Sequence, residues 1–392
     1  MKDEYLKPGW RRVKFGDVVR QVKDKVDPET SGLERYVAGE HMDTDDLRIR
    51  RWGEIGSGYL GPAFHMRFKP GQVLYGSRRT YLRKVAVADF EGICANTTFV
   101  LEPKSPDEIM PEFLPFLMQT EAFNSFSVRS SKGSVNPYIN FSDLDRFEFS
   151  LPPLSEQRRI CQLLDALEEN IFALDEALSS TIALEFSRLE DALNAVSPDC
   201  LFPIEKLVIT GPRNGLSPKA NADERGYPTL SISAVRDGKI IAEGNTKYAE
   251  VTDGQAAAFA LRRDDILVVR GNGNKLLVGK CGIVGTIPNG CFYPDLLIRL
   301  QFDADVIRPQ FASLQWNTPT THNRLISRAI STNGIWKING KDILQHMLKA
   351  PPVEVQDELL EEIRSIRQVR EDIARRKAAA LGVKLRALEE IA

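Results

Sequence analysis

The chain has 392 residues, enough for two or three domains with cores of their own, and 42% hydrophobic with 27% charged residues is a globular composition. The N-terminal stretch is polar and no 18-residue apolar run occurs, so neither secretion nor membrane insertion is expected; five scattered cysteines and four scattered histidines show no disulfide or metal spacing, which makes a reducing cytoplasm the expected location. A net charge of −2 disfavours a uniformly basic nucleic-acid binder, but the charges are segregated along the chain.

In chain order, Gly9-Trp10 leads into Phe15-Gly16-Asp17-Val18-Val19. Then Phe68-Lys69-Pro70-Gly71-Gln72-Val73-Leu74-Tyr75 gives a turn feeding an apolar strand, followed by the cationic run Arg78, Arg79, Arg83 and Lys84. No acid lies between Glu54 and Asp89, nor between Glu121 and Asp143. A phosphate backbone demands such depletion, because a carboxylate beside a phosphate repels it. The polar glycine loop Ser130-Ser131-Lys132-Gly133-Ser134 precedes Ile139-Asn140, and Leu151-Pro152-Pro153-Leu154-Ser155-Glu156-Gln157 closes the segment. Proline cannot continue the strand, and Ser155 is placed to cap the helix that follows.

That helix is expected over 155–195, with apolar residues from Ile160 to Leu193 spaced by three or four and no glycine or proline before Pro198. Residues 139–160 then return as 338–359: Ile139-Asn140, Asp143, Pro152-Pro153 and Gln157 recur 199 positions later as Ile338-Asn339, Asp342, Pro351-Pro352 and Gln356. Upstream, residues 68–75 align with 261–268, followed by Arg270-Gly271-Asn272-Gly273-Asn274-Lys275. Acids are again absent between Asp265 and Asp295 and between Asp305 and Asp342. So long a repeat means two homologous domains rather than a solenoid, at 1–153 and 198–352, each followed by a long helix, at 154–197 and 353–392.

About 40 residues of helix make a rod of roughly 60 Å, whose apolar seam needs a partner. The first helix carries Glu168, Glu169, Asp175, Glu176 and Glu185; the second carries Arg364, Arg367, Arg370, Arg375, Arg376 and Lys377. Laid antiparallel, their middles have complementary charge. The fold class is therefore α+β, two homologous α/β domains separated by two long helices forming an antiparallel coiled coil. Separate packing of each helix on its own domain is the alternative.

Arginine grips guanine O6/N7 with two bonds, asparagine does the same to adenine N6/N7, and lysine mostly holds phosphate. The candidate DNA contacts are Arg78, Arg79, Arg83, Lys84, Lys132, Asn136 and Tyr138 in the first domain, and Arg270, Asn272, Asn274, Lys275, Asn333, Trp336 and Lys337 in the second. Tyr138 and Trp336 are equally suited to anchoring a core. Catalytic motifs do not assemble: Asn136-Pro137-Tyr138 lacks the second proline of an amino-methyltransferase loop, Gly279-Lys280 is followed by Cys281 rather than the serine or threonine of a P-loop, and Gly271-Asn272-Gly273 reads as a turn. No catalytic, cofactor or metal residue is assigned.

A strand, a Pro-Pro break and a long helix beginning Glu-Gln or with Gln, all done twice, resembles the specificity subunit of type I restriction-modification systems. The resemblance spans the chain, with Val355 standing where the first copy has Glu156 and no Gly-Trp pair opening the second copy. It implies two target-recognition domains reading the halves of a split, asymmetric sequence in double-stranded DNA. It further implies two modification (methyltransferase) subunits as partners, with S-adenosylmethionine bound there, and restriction/translocase subunits using ATP and magnesium. A coiled-coil scaffold that binds protein alone, or a stand-alone methyltransferase or nuclease, are the rival classes.

Overall fold

The computed structural model describes residues 6–391, which fall into two compact units: the chain up to Glu176 together with the segment from Ala374 on, and Ala177–Ile373. In the first unit the opening strand Arg11–Lys14 lies antiparallel to the closing strand Glu148–Leu151. One four-stranded antiparallel sheet has the order Val19–Val22, Thr98–Pro103, Val73–Gly76, Val85–Val87; a second is built from Gly53–Glu54, Arg35–Val37, Gly92–Ala95 and Phe64–Phe68. The helices Phe113–Gln119 and Glu121–Ser130 pack on the first of these through an aromatic core in which Phe123 touches Phe15, Tyr75 and Phe147. The Thr120 hydroxyl accepts from the Phe123 amide and caps the second helix, which fixes its direction.

The second unit repeats the frame. Leu201–Pro203 pairs antiparallel with Met347–Lys349, a six-stranded sheet is centred on Ile266–Val269 and Cys281–Ile283, and the helices Pro309–Trp316 and Pro319–Ile326 cover it. The repeated Ile-Asn-x-x-Asp has a local cause. Asn140 and Asn339 precede the short helices Phe141–Leu144 and Gly340–Leu344, and the carboxylates of Asp143 and Asp342 reach back to the amides of Asn140 (3.4 Å) and Asn339 (2.9 Å).

The long helices are Leu154–Ala195 and Val353–Glu389. The first begins one residue earlier than expected, with the Pro153 carbonyl accepting from the amides of Glu156 and Gln157, so Ser155 lies inside the first turn and is not its cap. Within each unit the two helices run antiparallel. In the first, Asp175 meets Lys377 (2.5 Å) and Glu168 meets Lys384 (2.5 Å), while Ile160, Leu164, Leu388 and Ile391 join the domain core. In the second, Glu185 takes both Arg367 (2.6 Å) and Arg370 (2.7 Å), Arg188 takes Glu362 (2.7 Å), and Leu189, Leu193, Leu359 and Ile363 join that core. The expected charge complementarity is present at Glu168, Asp175 and Glu185, whereas Arg364 pairs with Glu361 of its own helix.

Candidate nucleic-acid interface

In the first unit the strand Val73–Gly76 runs out at Ser77, whose carbonyl accepts from the Ile139 amide at 2.9 Å. Segment 132–138 folds back as a narrow ribbon: the backbones of Lys132 and Tyr138 exchange two hydrogen bonds (2.8 and 2.9 Å), and Tyr138 pairs with Arg78 on its other side. Arg79 has a left-handed backbone (φ 49°), and its amide donates to the Pro137 carbonyl at 2.6 Å. The cationic run and the glycine loop, far apart in sequence, are thus one surface. On it Arg78, Arg79 and Asn136 are exposed, Tyr138 is 41% exposed, and Arg78 and Arg79 form no ion pair among the described residues.

Three of the expected contacts are committed elsewhere. Arg83 donates to Asp45 (2.8 Å), Glu121 (2.7 Å) and the Gln119 carbonyl (2.9 Å), so its guanidinium is an internal strut. Lys84 donates to the Gly39 carbonyl, and Lys132 holds the buried Asp143 at 2.8 Å. The Lys132 hydrogen bond is the main cause that keeps the Asp143 carboxyl below its ordinary range. All three, expected from sequence to face DNA, are engaged by the fold: Asp45, Glu121 and Asp143 flank the acid-free windows and fold back onto Arg83 and Lys132, while Lys84 is held by a backbone carbonyl.

The second unit builds the same corner with a fuller sheet. Gly271–Asn272 pairs with Ile335–Lys337, which pairs with Ile330–Thr332, and the Ile338 amide donates to the Arg270 carbonyl at 3.0 Å just as Ile139 does to Ser77. Asn333 (φ 51°) and Gly334 (φ 76°) form the two-residue turn, with the positive φ at both positions that a type I′ hairpin has and that Asn-Gly favours. Asn272 and Asn274 are drawn into local turns: the Asn272 side-chain oxygen accepts from the Asn274 amide (2.8 Å) and the Asn274 oxygen from the Leu276 amide (3.0 Å). Arg270 is half-buried with its Nη1 at 3.5 Å from the Asp295 carbonyl. The Lys275 ammonium sits 4.5 Å from the centre of the Trp336 ring, and Trp336 packs against the core as an anchor. Asn333 and Lys337 are exposed, and Lys337 forms no ion pair among the described residues.

Ile330 and Ile335 were not singled out from sequence, yet they are 70% and 41% exposed beside that turn. The Asn333-Gly334 pair is a hairpin signal, but Ile330-Ser331-Thr332 and Ile335-Trp336-Lys337 do not alternate apolar with polar, so nothing in the sequence marked an outward face for these isoleucines.

Residues 43–184 match the model of the type I restriction modification DNA specificity domain. That segment is similar to the type I specificity domain family. It is 28% identical over 262 residues to the type I restriction enzyme EcoKI specificity subunit of Escherichia coli strain K12, covering 62% of this chain and 55% of that one. It is 22% identical over 275 residues to the StySPI specificity subunit of Salmonella potsdam, covering 66% and 58%. The chain therefore spans just over half the length of these curated relatives. A chain from a solved type I restriction-modification system superposes with a TM-score of 0.65 at 20% identity over 99% of this chain and 98% of that one. A specificity subunit from M. genitalium does so at 0.55 and 13%, over 100% and 98%. These two likenesses bear on the fold: two mixed α+β units with long helices. No helix among the described residues is long and apolar enough to cross a membrane.

Proposed function

We propose that this chain is the DNA-reading subunit of a type I restriction-modification complex, in which each unit reads one half of a split target and the helices dock methyltransferase subunits. The observation that carries this is the recurrence, at corresponding corners of the two units, of a ribbon docked on a strand end. The first corner presents the ion-pair-free Arg78 and Arg79, the second the ion-pair-free Lys337. On this reading the chain supplies recognition and no chemistry of its own. S-adenosylmethionine belongs to the modification partner, and ATP with magnesium to the restriction partner.

The test is a gel shift with and without the modification partner at several salt concentrations. Replacing Arg78 and Arg79 together with alanine is expected to weaken binding and, if both hold phosphates, to lower the salt slope by about two. If either grips a guanine, discrimination at one base pair relaxes by roughly 1–3 kcal/mol instead. Binding that is absent, or present but insensitive to salt, would return the chain to the class of protein scaffolds.

A further inference from the structure

The hairpin Ile330–Lys337 has two unlike faces. Its register pairs Ile330 with Lys337 and Thr332 with Ile335 on one face, and Ser331 with Trp336 on the other. Trp336 turns inward onto the core, so Ile330, Thr332, Ile335 and Lys337 face out, and all four are exposed. An outward sheet face that offers two isoleucines is costly in water unless it meets an apolar surface. A cation stands on the same face: Lys337, paired with Ile330, carries no ion pair among the described residues. An apolar face that also carries this lysine is complementary to the major groove of duplex DNA, which admits a two-stranded ribbon and presents the thymine C5-methyl as its one apolar handle.

Resting on the DNA-reading assignment above, we infer that this ribbon enters the major groove of the second half-site and reads thymine methyl groups through Ile330 and Ile335. Gly271 helps to shape the face, since a Cβ there would stand 3.1 Å from the Lys337 Cγ; the lysine stem lies across the glycine and its ammonium is left for a phosphate or a purine. The first unit holds Arg78 and Arg79 at the corresponding corner. The corresponding corners thus present different chemistry, guanidinium groups in the first unit and isoleucines in the second.

The experiment uses the full chain in complex with its modification subunits. Methylome sequencing first gives the target, and a second half-site containing no thymine on either strand overturns the inference at once. Anisotropy titrations then use duplexes in which single thymines are replaced by deoxyuridine, which lacks only the methyl. Loss of one contacted methyl in the second half-site is expected to weaken binding about three- to fivefold. The variant Ile330→Ala/Ile335→Ala should bind the thymine duplex as weakly as the parent binds the uracil duplex, and should no longer distinguish the two. Ile330→Val, which keeps the fold and most of the contact, should fall between. Equal binding of thymine and uracil duplexes by the parent, while a scrambled half-site still abolishes binding, overturns methyl reading and leaves DNA reading intact. Equal binding of the scrambled duplex removes the DNA-reading assignment itself. Loss of the modification subunits from the alanine variant would instead make the ribbon a protein-docking face, which also overturns the inference.

Discussion

Gln157 is fully buried at the first turn of the first long helix. Its Oε1 accepts from the Met110 amide (2.8 Å), and its Nε2 donates to the carbonyls of Glu108 (3.0 Å) and Pro152 (2.9 Å). Gln356 does the same with the Arg308 amide and the carbonyls of Val306 and Pro351. One amide thus satisfies three backbone groups that would otherwise be buried without partners. Gln157→Ala is expected to cost about 2–4 kcal/mol of first-unit stability in urea denaturation, against less than about 0.5 kcal/mol for Arg78→Ala. His346 offers a second test. It is 3% exposed beside Trp316 (ring centres 5.4 Å apart), and burial, reinforced by Arg328, Arg324 and His322, depresses it from 6.5 to about 4. His322 shifts in the same direction, chiefly through burial. The unfolded chain therefore binds protons that the folded one refuses. Nothing is lost above about pH 6.5, and as pH falls toward about 4 the folded state is destabilised by up to about 3 kcal/mol from His346. Trp316 fluorescence should report this loss in pH-dependent unfolding, and His346→Gln should flatten it.

At the scale of the element, the seam between the long helices carries ion pairs as well as apolar contacts. Glu185 is 12% exposed and faces two arginines, so Glu185→Lys removes two pairs and adds a third cation to the cluster. The expected loss is about 1–3 kcal/mol in thermal unfolding, partly restored by Arg367→Glu and Arg370→Glu together. The hairpins follow the same logic of local commitment. Asn333-Gly334 fixes a tight turn, and the turn fixes which residues face outward.

For the whole molecule, modular reading predicts that exchanging the first recognition domain for another changes one half of the methylated sequence and leaves the other unchanged, as methylome sequencing would show. Where the cut falls matters. Ile160, Leu164, Leu388 and Ile391 belong to the first core, so a graft of residues 1–153 alone sets a foreign domain on these helix residues. A graft that also carries the helix segments up to Glu176 and from Ala374 on keeps that core whole. The second graft is expected to express and switch specificity, and the first to lose stability.

The duplication, the long helices and their complementary charge were legible in the chain itself. Repeats and helical periodicity are properties of order along a sequence, and Ile139-Asn140 through Gln157 carries them in plain form. The site was legible only in part. Arg78, Arg79 and Lys337 are exposed and without ion pairs among the described residues, whereas Arg83, Lys84, Lys132, Asn272 and Asn274 are engaged by neighbours. Some of those neighbours, such as Asp45 and Asp143, come from outside the acid-free windows, and others are the backbone groups of a loop. Which cation keeps its charge for a partner, and which faces of a ribbon turn outward, depend on pairings across the fold, and so only the tertiary structure decides them.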